Sequence, residues 1–321
     1  MLLDAGPMIK KIVTALAVLA ASMAVSYGVL EAASPVPARL SVTYVASPLN
    51  IPTIVEKHEE LFQKAFPGTN ILLPDLNAGP KQTAAMAAGE VDIAHCLGAT
   101  SAILAASEGL DIRIIGIYSR APQAFMIMTN DPSITDVSQL RGKKIGGPKG
   151  TILHQLLASA TVKAGLSPSD YEFINMGLPA AAAALSGGSI DAALLAGPDA
   201  YRATKAGART IVDGVGHVDA TTVIATTKAY LEKNAPVVER FMKMHRDAIA
   251  FIGENRERAL SMTAEETKLP MEAVETMFPW YDFNPTITQS DVEELERTQI
   301  FMLENGLQRN RIDIADILDA R

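Results

Sequence analysis

One stretch of this chain occurs twice. "AAMAAGEVDIAHCLG" (Ala84–Gly98) and "AALSGGSIDAALLAG" (Ala183–Gly197) align without a gap at a constant offset of 99 residues, from Ala84 to Ala183. Ala84, Ala85, Gly89, Asp92, Ala94 and Gly98 meet identical residues in the second copy. The matched segment covers a helical pattern, a turn and a buried strand pattern together. It therefore predicts two α/β lobes of like topology.

The flanking sequence extends both copies. In the first, Leu40–Ala46, Ile71–Leu73, Val91–Leu97 and Asp111–Tyr118 read as strands, and Ile51–Phe66, Gln82–Gly89 and Thr100–Glu108 as helices. In the second, Lys144–Gly147, Tyr171–Met176, Ile190–Ala196 and Thr210–Val212 are strand-like, with helices over Ile152–Ala164, Ala180–Ser186 and Ala200–Ala206. Such alternation implies parallel-rich sheets flanked by helices. Two short β-like runs, in Pro122–Asp131 and Ala220–Tyr230, read as crossings between the lobes. The tail is helical at Pro236–Ile252, Pro270–Phe278 and Ser290–Glu304, where Ser290 and Glu293 fit a capping box. Residues 34–121 with 226–321 are expected to form lobe I, completed by the tail, and residues 122–225 lobe II with its hinge strands.

Residues 1–33 are set apart from this pattern. Lys10 and Lys11 precede the apolar run Ile12–Val25 and then small residues, the order of a secretory signal peptide. Cleavage after Gly28, Ala32 or Ala33 fits, and an uncleaved anchor is the alternative. Cys96 is the only cysteine, so an intramolecular disulfide is impossible and no lipid-bearing cysteine ends the apolar run. The expectation is a cleaved, exported, monomeric protein of the periplasm that is not a lipoprotein. A formal net charge of −8 argues against a nucleic-acid binder. It leaves room for a small anion, because a local field can oppose the global sign.

"KKIGGPKGTILHQLL" (Lys143–Leu157) passes from a strand through glycines into a helix, as nucleotide-binding loops do. The order Lys149-Gly150-Thr151 is wrong for a Walker A motif, and Gly146, Gly147 and Gly150 are wrongly spaced for a dinucleotide fingerprint. What survives is a helix start, where unpaired N–H groups and the helix dipole favour an anion. Thr151 is either a ligand contact or only a helix cap. Ser47-Pro48-Leu49-Asn50 offers the same geometry in the first copy, and loops at the carboxyl ends of the strands face a shared cleft. Arg120 is a candidate to neutralise an anionic group, and His154 lies one turn inside the helix. The matching Asp92 and Asp191 read as structural. His58, His95, His154, His217 and His245 show no metal-ligand spacing, and no G-x-S-x-G elbow occurs. No metal, cofactor or catalytic residue is assigned.

Three stretches, "AAMAAGEVDIAHCLGATSAILAASEG", "LRGKKIGGPKGTILHQLLASATVKAGL" and "ALSGGSIDAALLAGPDA", together with the tail "YLEKNAPVVERFMKMHRDAIAFIGENRERAL", resemble the solute-binding components of ABC importers for nitrate, taurine and alkanesulfonates. The resemblance implies a type II periplasmic binding protein, with two lobes, two hinge strands and ligand captured between them. It also implies a partner permease with its ATPase, and no enzymatic activity. Carried over by position, the pocket would comprise Ser47, Asn50, Gly98, Ala99, Thr100, Gly150, Thr151, Asn175, Gly197 and Pro198, joined by Arg120 and His154. The first loop lacks a signature that identifies the ligand. A sulfonate-like organic anion is the first expectation. Nitrate, bicarbonate or a neutral pyrimidine-type thiamine precursor are the alternatives, and an exported enzyme or a sensor-kinase receptor are rival classes.

Overall fold

The computed structural model describes residues 36–45 and 49–319; the expected signal segment and Ser47 lie outside them. The first half runs β1 (Arg39–Ser41), α1 (Ile51–His58), α2 (Leu61–Ala65), β2 (Asn70–Leu72), α3 (Gly79–Ala87), β3 (Ile93–Gly98), α4 (Ala99–Ser107) and β4 (Ile112–Arg120). The second runs β5 (Phe125–Thr129), β6 (Lys144–Gly147), α5 (Ile152–Lys163), β7 (Glu172–Asn175), α6 (Leu178–Ser186), β8 (Ala192–Ala196), α7 (Gly197–Lys205) and β9 (Arg209–Asp213). β10 (Thr221–Thr227) then leads into α8 (Lys228–Glu254), α9 (Arg256–Thr267), α10 (Met271–Met277) and α11 (Gln289–Glu304).

The two sheets have matching orders. In the second lobe the order is β7-β6-β8-β5-β9, with β6 parallel to β7 and β8, and β5 antiparallel to β8 and β9. In the first, β1 pairs parallel with β2, a parallel bridge from Val42 to Ile93 joins β1 to β3, and β10 lies antiparallel between β3 and β4. Each lobe thus takes its one antiparallel inner strand from just after a crossing. The offset of 99 holds at element level too, since Gly79–Ala87 maps onto Leu178–Ser186 and Ile93 onto Ala192. The two aspartates that the offset pairs also bond alike. Asp92 Oδ2 accepts from the Ser41 amide at 2.7 Å, and Asp191 Oδ2 accepts from the Lys144 amide at 2.7 Å. Each carboxylate ties the start of its own strand to the neighbouring parallel strand, at the last residue of β1 in one copy and at the first of β6 in the other, a structural role shared by both copies.

Several boundaries differ from the sequence reading. The division between residues 225 and 226 falls inside β10, which is the central strand of the first lobe's antiparallel set. The crossings are the short segments before β5 and before β10, and they touch where the Gly214 amide donates to the Pro122 carbonyl at 3.1 Å. The helix expected over Ile51–Phe66 breaks at Glu60, whose φ of 55 is left-handed. α8 starts at Lys228 rather than Pro236, with a kink at Asn234 that accommodates Pro236. The last helix is capped two residues earlier than expected, by Thr288 and Asp291. α8 and α9 pack on α1, and α11 packs on α4, so the tail covers the first lobe.

Candidate functional site

Every helix that follows a strand in these sheets starts at the strand's carboxyl end, and five such starts meet one cavity. It encloses about 510 Å³ of space, part of it open to solvent. The first lobe contributes Ala78 and Gly79 from the start of α3, and Gly98 and Ser101 from the start of α4. The second contributes Thr151, Ile152 and Leu153 from the start of α5, Leu178 from α6 and Ala196 before α7. Phe125 and Thr222, each just past a crossing, line it too, as do Val45, Asn77, Gln82, Cys96 and Pro148. Leading N–H groups of a helix lack intrahelical partners, and each start favours an anion by about 0.3–1 kcal/mol. Among the described lining residues there is no lysine, arginine or histidine. Any anion held here meets helix ends and neutral side chains, with apolar groups (Val45, Phe125, Ile152, Leu153, Leu178) forming the rest of the wall.

The loop Pro148–Thr151 is held in shape from within the second lobe. Asn175 Oδ1 accepts from the Lys149 amide at 2.9 Å, Gly150 takes a φ of +72, and Thr151 Oγ1 donates to the Pro148 carbonyl at 2.8 Å. Thr151 occupies the cap position of α5, yet its side chain bonds backward rather than to the helix. The lobes touch at this point, where Ser101 Oγ donates to the Gly150 carbonyl at 2.8 Å. Gly79 makes room for that serine. A Cβ on Gly79 would lie 2.5 Å from Ser101 Cβ and closer still to its hydroxyl.

Of the residues expected from sequence, Gly98 and Thr151 line the cavity. Ala99, Gly197 and Pro198 are buried in the first turns of α4 and α7 and are not among the residues lining the cavity. Thr100, Gly150, His154 and Asn175 border a wider groove on the outer side, which meets the cavity at Ser101 and Thr151. His154 stacks on Phe173, and burial with Lys149 nearby lowers its pKa to about 4, so it brings no positive charge at neutral pH. Asn50 is buried, donating to the Val45 carbonyl and accepting from Cys96 Sγ at 3.2 Å. Arg120 is the clear correction. All five of its N–H donors are engaged within the protein, two with Asp291 at 2.6 and 2.7 Å, one with Asp282 and two with the carbonyls of Asn284 and Thr286, each at 3.1 Å. It fastens β4 to the segment before α11 and has no donor left for a ligand.

Sequence reasoning missed the loop into α3 and also Cys96. The first carried a signal, because Pro80 and Pro179 stand at the same offset of 99, so the expected pocket residue Asn175 maps back onto Leu76, in the loop just before α3. Cys96 is the extra residue of a β-bulge opposite Val223 and Ile224, with a φ of 71, and it faces the cavity. Its thiol is pushed up to about 12 by burial, so it is a neutral, unreactive wall group at neutral pH.

The fold also gathers Glu56, His95 and His245, fully buried inside the first lobe, with potential ligand atoms within 4.8 Å of one another. Spacing along the chain could not show this, because the three come from α1, β3 and α8. His245 Nδ1 lies 2.8 Å from Glu56 Oε1 and 3.1 Å from His95 Nε2, and His95 Nδ1 lies 3.1 Å from Thr53 Oγ1. They offer three ligand groups, where a structural zinc takes four; His245 bonds to both Glu56 and His95, while Glu56 Oε2 and His245 Nε2 are buried without a hydrogen-bond partner among the described residues. Burial raises the Glu56 pKa against the pull of His245, and burial with His245 nearby lowers that of His95. The cluster is a proton-sharing network that binds three elements of the lobe.

Residues 51–259 match the family model described as NMT1/THI5 like. The chain belongs to the NMT1/THI5-like family. This NMT1/THI5-like chain is 26% identical over 290 residues to an Escherichia coli (strain K12) protein named for binding aliphatic sulfonates, covering 88% of this chain and 89% of the relative. It is 28% identical over 201 residues to the taurine-binding periplasmic protein of the same organism, covering 61% and 62%. Its structure is similar, with a TM-score of 0.81 at 23% identity, to the alkanesulfonate-binding protein SsuA from Xanthomonas axonopodis pv. citri bound to MOPS, covering 89% of this chain and 99% of that one. The fold is the two-lobed α/β fold of periplasmic binding proteins, with mixed sheets.

Proposed function

We propose that this chain is the exported solute-binding component of an ABC importer, and that it captures a small organic sulfonate between its lobes. The observation that carries this reading is the cavity itself. Helix starts from both lobes converge on a small space whose wall is otherwise uncharged, part apolar and part polar, which suits a compact anionic head on a short organic body. The relatives named for sulfonates and taurine support the same ligand class. Contacts to the head are assigned to the leading amides of α4 and α5; the hydroxyls of Ser101 and Thr151 already donate to the Gly150 and Pro148 carbonyls and hold these helix starts in place. Ser47 remains a candidate from its place in the sequence. Delivery to a permease with its ATPase, a monomeric state, cleavage of the first 33 or so residues and a periplasmic location belong to this proposal. So does the absence of catalysis, which the raised thiol pKa of Cys96 supports.

A neutral ring compound is the second reading, favoured by the lack of basic side chains around the cavity and by Phe125 in its wall. Mass spectrometry of the compound that co-purifies, with thermal-shift screening of short alkanesulfonates, taurine, nitrate and pyrimidines, separates the two. Sulfonates are expected to raise the melting temperature. A rise with a neutral pyrimidine and with no anion overturns the proposal, and turnover of a bound compound overturns its non-enzymatic part.

A further inference from the structure

The side chain of Gln155 is held at both ends by the opposite lobe. It sits on α5 of the second lobe, is 6% exposed, and does not line the ligand cavity. Its Oε1 accepts from Thr100 Oγ1 on α4 at 2.6 Å, and its Nε2 donates to Thr298 Oγ1 on α11 at 3.1 Å. Thr298 in turn donates its hydroxyl hydrogen bond to Glu294 Oε1 at 3.0 Å, which leaves its oxygen to accept from Gln155. Thr100 and Thr298 are themselves buried, at 3% and 5% exposure. An amide has one acceptor end and one donor end, so this arrangement is specific to glutamine or asparagine, and only glutamine has this reach.

We infer that Gln155 is a closure latch, a positioning residue that holds the second lobe against two helices of the first and so strengthens ligand capture without touching the ligand. The bonds join groups on opposite lobes and exist only while the lobes meet. When the lobes part, water takes their place, so the bonds weight the closed form alone. Gln155 lies one helical turn beyond Thr151, and the latch therefore also fixes where the start of α5 points. This role does not depend on which compound fills the cavity.

The test reads closure directly. Spin labels at the exposed Lys64 and Lys205, one on each lobe, report the inter-lobe distance and, through paramagnetic relaxation, a closed form present even as a minor population. The variants are Gln155→Met, which keeps the volume and removes both bonds, and Thr100→Val and Thr298→Val, which remove one each. Gln155→Met is expected to reduce the closed population of the ligand-free protein, with each threonine variant in between. It is also expected to weaken binding of ethanesulfonate, the probe, by at least about fivefold, the worth of one ordinary hydrogen bond. Folding of each variant is checked by its thermal transition, and Thr100→Val and Thr298→Val decide if Gln155→Met does not fold. An unchanged closed population in the variants that fold overturns the inference. If ethanesulfonate does not bind even the unmodified protein, the sulfonate reading fails on its own and the distance measurement still decides the latch.

Discussion

Raising the pH from about 5 to about 8 deprotonates Glu294 in a place that suits a neutral group. The side chain is 6% exposed on α11. Burial raises its pKa, with Asp219 adding to the rise, while hydrogen bonds from Thr298 and Thr221 and the charge of Arg297 pull the other way; the result is about 7 against an ordinary 4.5. A carboxyl group raised in the folded state keeps a proton that the unfolded chain has released. Its contribution is fully present below the unfolded value of 4.5 and is lost as the pH climbs through about 7. At about 1.4 kcal/mol for each tenfold change, the loss across that window is about 3 kcal/mol. Glu294→Gln keeps the shape and the oxygen that accepts from Thr298, and it removes the charge. Urea unfolding at several pH values then tests the argument: the unmodified protein loses stability through the window, and the variant loses about 3 kcal/mol less. Equal losses in the two proteins would refute the assignment of this titration to Glu294.

Arg120→Met strands the Asp291 carboxylate, which is 5% exposed and otherwise held only by Thr288, so a loss of about 3 kcal/mol in unfolding stability is expected. Ligand affinity of the folded variant should stay within about twofold, because no Arg120 donor is free for the cleft; a large affinity loss in calorimetry would restore Arg120 to the site. Thr151→Val removes the hydroxyl that shapes the loop and faces the cavity, and should weaken sulfonate binding by at least about 1 kcal/mol by titration calorimetry. Unchanged affinity would leave Thr151 a loop-shaping residue alone. Gly79→Ala pushes a methyl group into Ser101 and should cost about 1–3 kcal/mol of stability, recovered when Ser101 is also changed to Gly. A variant as stable as the unmodified protein would show that the serine yields freely.

The lobes were legible because a repeat is a long-range statement written locally. The offset of 99 placed α3 over α6 and β3 over β8, and it paired Asp92 with Asp191, whose matching bonds to neighbouring strands follow from equivalent positions. Helix starts at strand ends were also legible, because glycine, proline and threonine mark them in the sequence. Partners distant in the chain were not. An arginine at a strand end looks the same whether it meets a ligand or Asp291, 171 residues away. The insertion of β10 between β3 and β4 depends on which edge is open after folding, which an alternating pattern does not encode. Cys96 is invisible as a wall residue until the bulge turns it toward the cavity. The Glu56, His95 and His245 cluster needs three elements to meet before it exists.

The proposed capture needs an anion held by helix starts in place of basic side chains. A crystal structure of the complex with ethanesulfonate tests this most directly. Sulfonate oxygens are expected within about 3.2 Å of backbone amides in the first turns of α4 and α5, with the ethyl group against Ile152, Leu153 and Phe125. Sulfonate bound instead in the outer groove, on the side chains of Lys149 or Arg309, would contradict it.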